Sequence, residues 1–262
     1  MAGYLKTLID AMPWSWSRLN SFDDCKYGWY LKYVRWLQPG NAKFFSGFGS
    51  LMHKVLEQFL SGKTRKEDLS IYYLQNFRQE TNGEIPKPNM RSQYFENGLE
   101  YIKSLEPFPF ETVAVEQRVR FDKNENRFVG VIDLLAKDDD GFAIIDHKSR
   151  RMKPRSNRRQ PTETDKELDH ALMQLYLYAA WVKEQYGVFP HSLIFNCFRD
   201  RRFIKTQFDK QKFEQTMDWA NDKIVEISET EDFPPNIEFF KCKYLCDMSD
   251  HCEYYQANFG KE

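Results

Sequence analysis

Two periodicities divide the chain. Over roughly its first hundred residues, apolar positions recur at the three- and four-residue spacing of helices. Residues 14–37 read as one helix, with Ser15 or Ser17 as its cap and Leu19, Phe22, Trp29, Tyr30 and Tyr33 supplying its apolar side. A second helix is predicted from Ser46 to Leu60, and helical pattern recurs around 66–80 and 91–105. Between the last two, Asn82 to Asn89 contains Gly83, Pro86 and Pro88 and reads as a loop.

The texture changes at Pro107. ETVAVEQRVRF alternates apolar and polar residues, as a half-buried strand does. RFVGVIDLLAK and GFAIIDHKS are two more strand candidates, joined by a hairpin-like turn at Asp138-Asp139-Asp140-Gly141. These three form a meander, followed by a basic loop at 149–161. ELDHALMQLYLYAAWVKEQYG reads as an amphipathic helix ending near Gly187. HSLIFNCFRD and FIKTQFD are further strands, and a last helix covers roughly 209–229. The tail is Cys-rich and irregular. No repeat at a fixed period and no low-complexity tract interrupts this order, which predicts a mixed α/β layer fold.

Composition narrows the classes. With 262 residues, the chain suits one large domain or a core with an elaborate insertion. Apolar residues are 41% and aromatics 16%, too rich for a disordered chain. A net charge of −1 excludes a global polycation, so any nucleic-acid footprint must be local. No apolar run reaches the roughly 20 residues of a bilayer span, and the N-terminus lacks signal-peptide features. An intracellular protein without membrane contact is expected. Five cysteines in a reducing compartment point to metal ligands, catalytic groups or inert core residues rather than disulfides.

The candidate chemistry lies in the second and third strands. Asp146 and Lys148 alternate onto one strand face, and His147 points the other way. A hairpin would bring Asp133 near Asp146. Both acids sit inside apolar runs, Val129-Gly130-Val131-Ile132 and Phe142-Ala143-Ile144-Ile145, where an unpartnered carboxylate is costly. Two carboxylates at one spot suit Mg²⁺ or Mn²⁺, and repel without a cation. Lys148 could orient or deprotonate a water, or stabilise charge on a phosphate.

GVID followed by IDHKS resembles the PD-(D/E)XK nuclease superfamily, in particular its RecB-like branch. The resemblance implies a restriction-endonuclease-like α/β core, a mixed central sheet flanked by helices, with a helical insertion and a Cys-rich C-terminal tail. It implies one nuclease domain over residues 1–262: a helical region to about 107, a catalytic core to about 229, then the tail. Asp133 and Asp146 would bind metal, Lys148 would assist the nucleophilic water, and His147 would offer its backbone carbonyl. Gly49-Ser50-Leu51-Met52-His53 resembles the branch's glycine-to-histidine motif, making His53 a further ligand. Gln174 and Tyr178 resemble its Q-x-x-x-Y motif, four residues apart on one helix face. Glu116 is a weaker candidate for a further acid.

Cys242, Cys246 and Cys252 cluster near the C-terminus, and Cys25 lies far away. Four thiolates can bind Zn²⁺ or a [4Fe–4S] cluster. Ser15, Ser17, Leu19, Phe22 and Cys25 match the branch's N-terminal signature, and the resemblance implies the iron–sulfur cluster, with Zn²⁺ as the alternative. The trio here is spaced C-x3-C-x5-C where the branch has C-x2-C-x5-C. Cys197 reads as a buried small hydrophobe. From Lys148 to Arg159 seven basic residues and no acid follow the catalytic strand; Arg150, Arg151, Lys153, Arg155, Arg158 and Arg159 could track phosphates. Trp14, Trp16 and Trp29 could stack on bases.

The expected activity is metal-dependent hydrolysis of DNA, as an exonuclease on single strands or duplex ends, with a helicase or recombination protein as partner. Recombination, repair, phage DNA metabolism and CRISPR adaptation are candidate pathways, in a bacterial, archaeal or phage setting. A non-catalytic binding module needs no intact Asp133, Asp146 and Lys148, a small-substrate phosphoesterase needs no basic loop, and a restriction-type dimer fits the cysteines poorly. Ser61-Gly62-Lys63-Thr64 is no Walker A motif, because Glu57 stands where its first glycine belongs.

Overall fold

The computed structural model describes residues 2–260. Five strands form one sheet in the order β1 (Glu111–Lys123), β2 (Asn126–Asp138), β3 (Gly141–Lys148), β4 (Ser192–Cys197) and β5 (Arg202–Gln207). β1, β2 and β3 are an antiparallel meander, β4 runs parallel to β3, and β5 is antiparallel to β4. The parallel step needs a long crossover. It is made by α7 (Glu163–Tyr186), which starts on a Thr162–Asp165 capping box and stops at Gly187 in the left-handed conformation, φ 75°.

The sheet has two covered faces. Ile132, Leu135, Ile144, Leu193 and Phe195 pack with α7 and α8 (Lys210–Glu229) in the main core. Also on this core are α1 (Ala2–Asp10), α2 (Trp16–Asp24) and α3 (Lys26–Trp29), the last continuing as a π-helical turn, Tyr30–Val34. The opposite face carries Leu134, Ala136, Ala143, Ile145 and Ile194 against Leu60 and Phe108. Beyond it α4 (Phe44–Leu60), α5 (Lys66–Glu80) and α6 (Met90–Lys103) close around a core of their own, which also takes in Phe198. This is the α/β restriction-endonuclease-like architecture with a helical insertion. A short helix, α9 (Glu253–Phe259), ends the tail, after a π turn at Lys241–Leu245.

Three expectations are corrected. The single helix over 14–37 is broken, because Cys25 leaves helical geometry (φ −164°) and its sulfur caps α3 by accepting the Gly28 N–H. Ser15 does cap α2, but Trp14 bridges to Phe128 in extended conformation. Trp14 and Trp29 are buried, and Trp16 packs on His170 and Trp219, so stacking on bases is ruled out for the first two and Trp16 is already occupied by rings. The tail is helical in part rather than irregular. Cys197 is buried in the main core, as expected. No helix among the described residues is long and apolar enough to cross a membrane.

Candidate active site

The site lies where the meander splits. The β2–β3 ladder ends at Leu134 opposite Ile145. At the next positions the Asp133 carboxylate replaces a strand carbonyl, accepting the His147 N–H at 2.7 Å. Both β1 and β2 also change phase here. Ile132 and Leu135 face the same core, which strict alternation forbids, and so do Ala114 and Val119. Glu116, between Val115↔Leu134 and Gln117↔Ile132, holds φ 49°, a conformation L side chains rarely adopt. Kinks of this kind re-aim side chains beside active sites. Here they turn Glu116 and Asp133 toward one point.

Helix α4 supplies the third group. Its Phe48, Leu51, Met52 and Val55 are buried in the insertion core, leaving half-buried His53 to reach across to the sheet. His53 Nε2 lies 2.9 Å from the His147 carbonyl. A carbonyl only accepts, so the Nε2 proton is fixed and Nδ1 faces Asp133 Oδ2 at 3.6 Å and Glu116 Oε1 at 3.9 Å. Ligand atoms of His53, Glu116 and Asp133 lie within 4.8 Å of one another. Asp146 is not in that set. Its Oδ2 is 2.8 Å from Lys148 Nζ, but at an angle that makes no hydrogen bond, and the oxygen is buried without one.

Lys148 is held from α7. It donates to Gln174 Oε1 at 2.9 Å, and Gln174 Nε2 approaches the Tyr178 hydroxyl at 3.5 Å. Burial pushes the Tyr178 phenol up to about 12, so it stays neutral. Gly130 makes room for it, since a Cβ there would stand 2.5 Å from Cε1 of the ring. His147 turns away from these groups, as expected from alternation. Its buried ring accepts from Asn196 Nδ2 at 3.1 Å, and burial pushes its pKa well down.

Electrostatics show what the cluster lacks. Burial, then the charge of Asp146, raise the Asp133 carboxyl. Burial alone would lower His53, but Glu116, Asp133 and Asp146 together raise it. Three acids hold one proton-bearing ring among them, and one buried carboxylate oxygen has no hydrogen bond. Hard oxygens with one imidazole nitrogen suit a divalent cation, so the donor set fits Mg²⁺ or Mn²⁺. Glu116 is more central than its sequence context implies. A second set, Asp138, Asp140 and His191, converges at the other end of the sheet, where Asp138 is already paired with His191 at 2.8 Å.

The remaining candidates divide. The basic loop is not a loose connector: Met152 is buried, Arg151 pairs with Asp200 at 3.3 Å, and Arg155 pairs with Asp169. Arg150, Lys153, Arg158 and Arg159 make no ion pair among the described residues. Arg150, Arg151, Lys153 and Arg202 line one cleft beside the loop. The cysteines draw together from both ends of the chain: a Cβ at Gly28 would lie 3.7 Å from Cys25 Sγ and 4.0 Å from Cys246 Sγ, and Asn236 touches the sulfurs of both Cys25 and Cys242. Cys25 Sγ accepts from Gly28 and Asn236 N–H groups at 3.4 Å, and Cys252 Sγ from Tyr255 at 3.4 Å.

Residues 13–253 match the family model of the PD-(D/E)XK nuclease superfamily. Among solved structures, one from Eubacterium rectale, provisionally named an exonuclease, aligns with a TM-score of 0.54 and 12% identity over 94% of this chain and 88% of that one. At such identity the likeness shows the fold alone. The structure of SSO0001 aligns over 79% of this chain and 96% of that one, at 20% identity and a TM-score of 0.31, and carries no argument. No curated protein matches.

Proposed function

Because this chain belongs to the PD-(D/E)XK nuclease superfamily, we propose that it is a metal-dependent deoxyribonuclease of the RecB-like branch, acting as an exonuclease. The observation that carries this reading is one point at which His53, Glu116 and Asp133 converge while Asp146, Lys148, Gln174 and Tyr178 form a connected chain beside it. His53, Glu116, Asp133 and Asp146 would hold Mg²⁺ or Mn²⁺, with the His147 carbonyl available on its second lone pair. Such an ion polarises the phosphodiester and lowers the pKa of bound water. Lys148, steered by Gln174, orients the attacking water or takes its proton, and its charge stabilises the phosphate in the transition state. Tyr178 keeps Gln174 in place as a neutral hydroxyl. Arg150, Lys153, Arg158 and Arg159 hold the DNA backbone, and the paired Arg151 and Arg155 shape the loop that presents them.

The exonuclease choice draws on the name given to the Eubacterium rectale protein and on the motifs His53, Gln174 and Tyr178. We further propose that Cys25, Cys242, Cys246 and Cys252 bind a [4Fe–4S] cluster, with Zn²⁺ as the alternative. Backbone N–H donors already aimed at the sulfurs of Cys25 and Cys252 support a thiolate role. DNA single strands or duplex ends would be the substrate, in recombination, repair, phage DNA metabolism or CRISPR adaptation, alongside a helicase or recombination partner.

The test is digestion of end-labelled linear DNA and of circular DNA, each single- and double-stranded, with Mg²⁺ or Mn²⁺. An exonuclease releases label from linear substrates and leaves circles intact. Linearised circles would replace the exonuclease by an endonuclease, and no product from any substrate would overturn the nuclease reading.

A further inference from the structure

Sheet register places a charge that the order of the chain conceals. Lys148 on β3 pairs with Cys197 on β4, and Cys197 pairs with Arg202 on β5. Residues in register share a face, so Arg202 emerges on the same face as Lys148, two strand spacings away. That is about 10 Å, roughly three rises of a B-form strand. The Arg202 side chain is exposed and makes no ion pair or hydrogen bond among the described residues. It lines the same cleft as Arg150, Arg151 and Lys153, with Asp200 and Glu167 as the acids there. Asp200 is half spoken for by Arg151, at 3.3 Å.

The loop that faces Arg202 is fixed at four points, one of them the Arg155–Asp169 pair. Arg151 is tied to Asp200 and the Met152 side chain is buried in the main core. At the fourth point the buried Asp165 carboxylate accepts from the Ser156 N–H at 2.7 Å, the Ser156 hydroxyl at 2.6 Å, the Thr162 N–H at 2.8 Å and the Thr162 hydroxyl at 2.7 Å. One side chain thus closes the loop onto the start of α7. Arg150 and Lys153 therefore share the cleft with Arg202 on a fixed backbone, so an anion entering it has side chains but little backbone to order.

We infer that Arg202 on β5, with Arg150 and Lys153 on the Asp165-tethered loop, forms a preformed subsite for the phosphodiester backbone of the bound strand beyond the scissile bond. This deepens the nuclease reading and rests on it. Arg202 is the new member, and Asp165 is a positioning residue that acts through the loop.

The experiment measures binding of a labelled single-stranded oligonucleotide with Ca²⁺ in place of Mg²⁺, across a salt series. Arg202→Ala should weaken binding several-fold at low salt and lower the slope of log affinity against log salt by roughly 0.7, the contribution of one phosphate contact on a single strand. Lys205→Ala removes an equal charge from the opposite face of the same strand and should match the parent. Asp165→Asn should weaken binding and open the loop to trypsin after its arginines. Ser15→Ala removes a helix cap outside the loop, at the start of α2, and should do neither. If the parent binds and Arg202→Ala equals it in affinity and slope, the subsite is wrong and the nuclease reading stands. The subsite is also wrong if Lys205→Ala lowers affinity as much as Arg202→Ala does. If the parent binds no DNA and digests none with Mg²⁺ or Mn²⁺, both fall together.

Discussion

Glu116 shows how much one residue's backbone decides. Its φ of 49° breaks the phase of β1 and delivers a carboxylate to His53 and Asp133. In an alternating strand it would be one more solvated acid, which is why sequence pattern ranks it low. Asp133, Asp146 and Lys148 were legible for the opposite reason: acids embedded in apolar strands stand out without any knowledge of dihedral angles. If Glu116 is a metal ligand, Glu116→Gln raises the Mg²⁺ concentration for half-maximal cleavage by at least about tenfold, the lower end of what supporting groups contribute to a metal site. A metal titration of cleavage rate reads this directly, and an unshifted curve removes Glu116 from the site. The pairing of Arg151 and Arg155 was equally hidden, because Asp200 and Asp169 meet them only in the fold.

At the scale of elements, the catalytic strands depend on close contact with α7. Gly130 on β2 lies under the Tyr178 ring, and a methyl group there meets Cε1 at 2.5 Å and the hydroxyl at 3.0 Å. Gly130→Ala overpacks this contact at a cost of about 1–3 kcal/mol. A lower Tm and a lower turnover are expected together, since displaced Tyr178 releases Gln174 and Gln174 releases Lys148. Metal dependence should not change, because no proposed ligand moves. Thermal melts with single-turnover cleavage check this, and a stable variant of normal rate would uncouple Tyr178 from Lys148. Most elements were legible in the sequence, because the insertion helices and all five strands carry their own periodicity. The break at Cys25 was not: the thiol that caps the new helix through the nearby Gly28 N–H is also held by the Asn236 N–H, a distant pairing that local pattern does not encode.

Across the whole molecule the tail belts the segment that leads into α4. Gly40 N–H donates to the Asp247 carbonyl at 3.0 Å, Asn41 N–H to Asp250 Oδ2 at 2.7 Å, and His251 Nε2 meets the Gln38 carbonyl at 2.9 Å. Lys43, the residue before α4, donates to Ser249 at 2.8 Å. The cysteines therefore bear on the helix that carries His53. If they bind a metal cluster, Cys246→Ala loses iron or zinc, and a cross-link that closes so long a loop is worth about 4–5 kcal/mol. Its loss should lower Tm and cleavage rate together. Metal analysis and melting of protein purified without oxygen check this. Melting unchanged from the parent would mean that the thiols hold no staple.

The most direct single measurement is the cleavage rate of linear DNA by the parent and by Asp146→Asn, each titrated with Mg²⁺ and then stripped with a chelator. The convergence of His53, Glu116 and Asp133, with the Asp146–Lys148 pair beside them, predicts parent cleavage that needs the ion and vanishes on chelation. It predicts that Asp146→Asn, folded and binding DNA, loses activity on the order of 10²-fold or more, the scale of losing a positioned catalytic group. Cleavage that persists in the chelator, or an Asp146→Asn rate equal to the parent's, would contradict a metal-dependent nuclease centred on these residues.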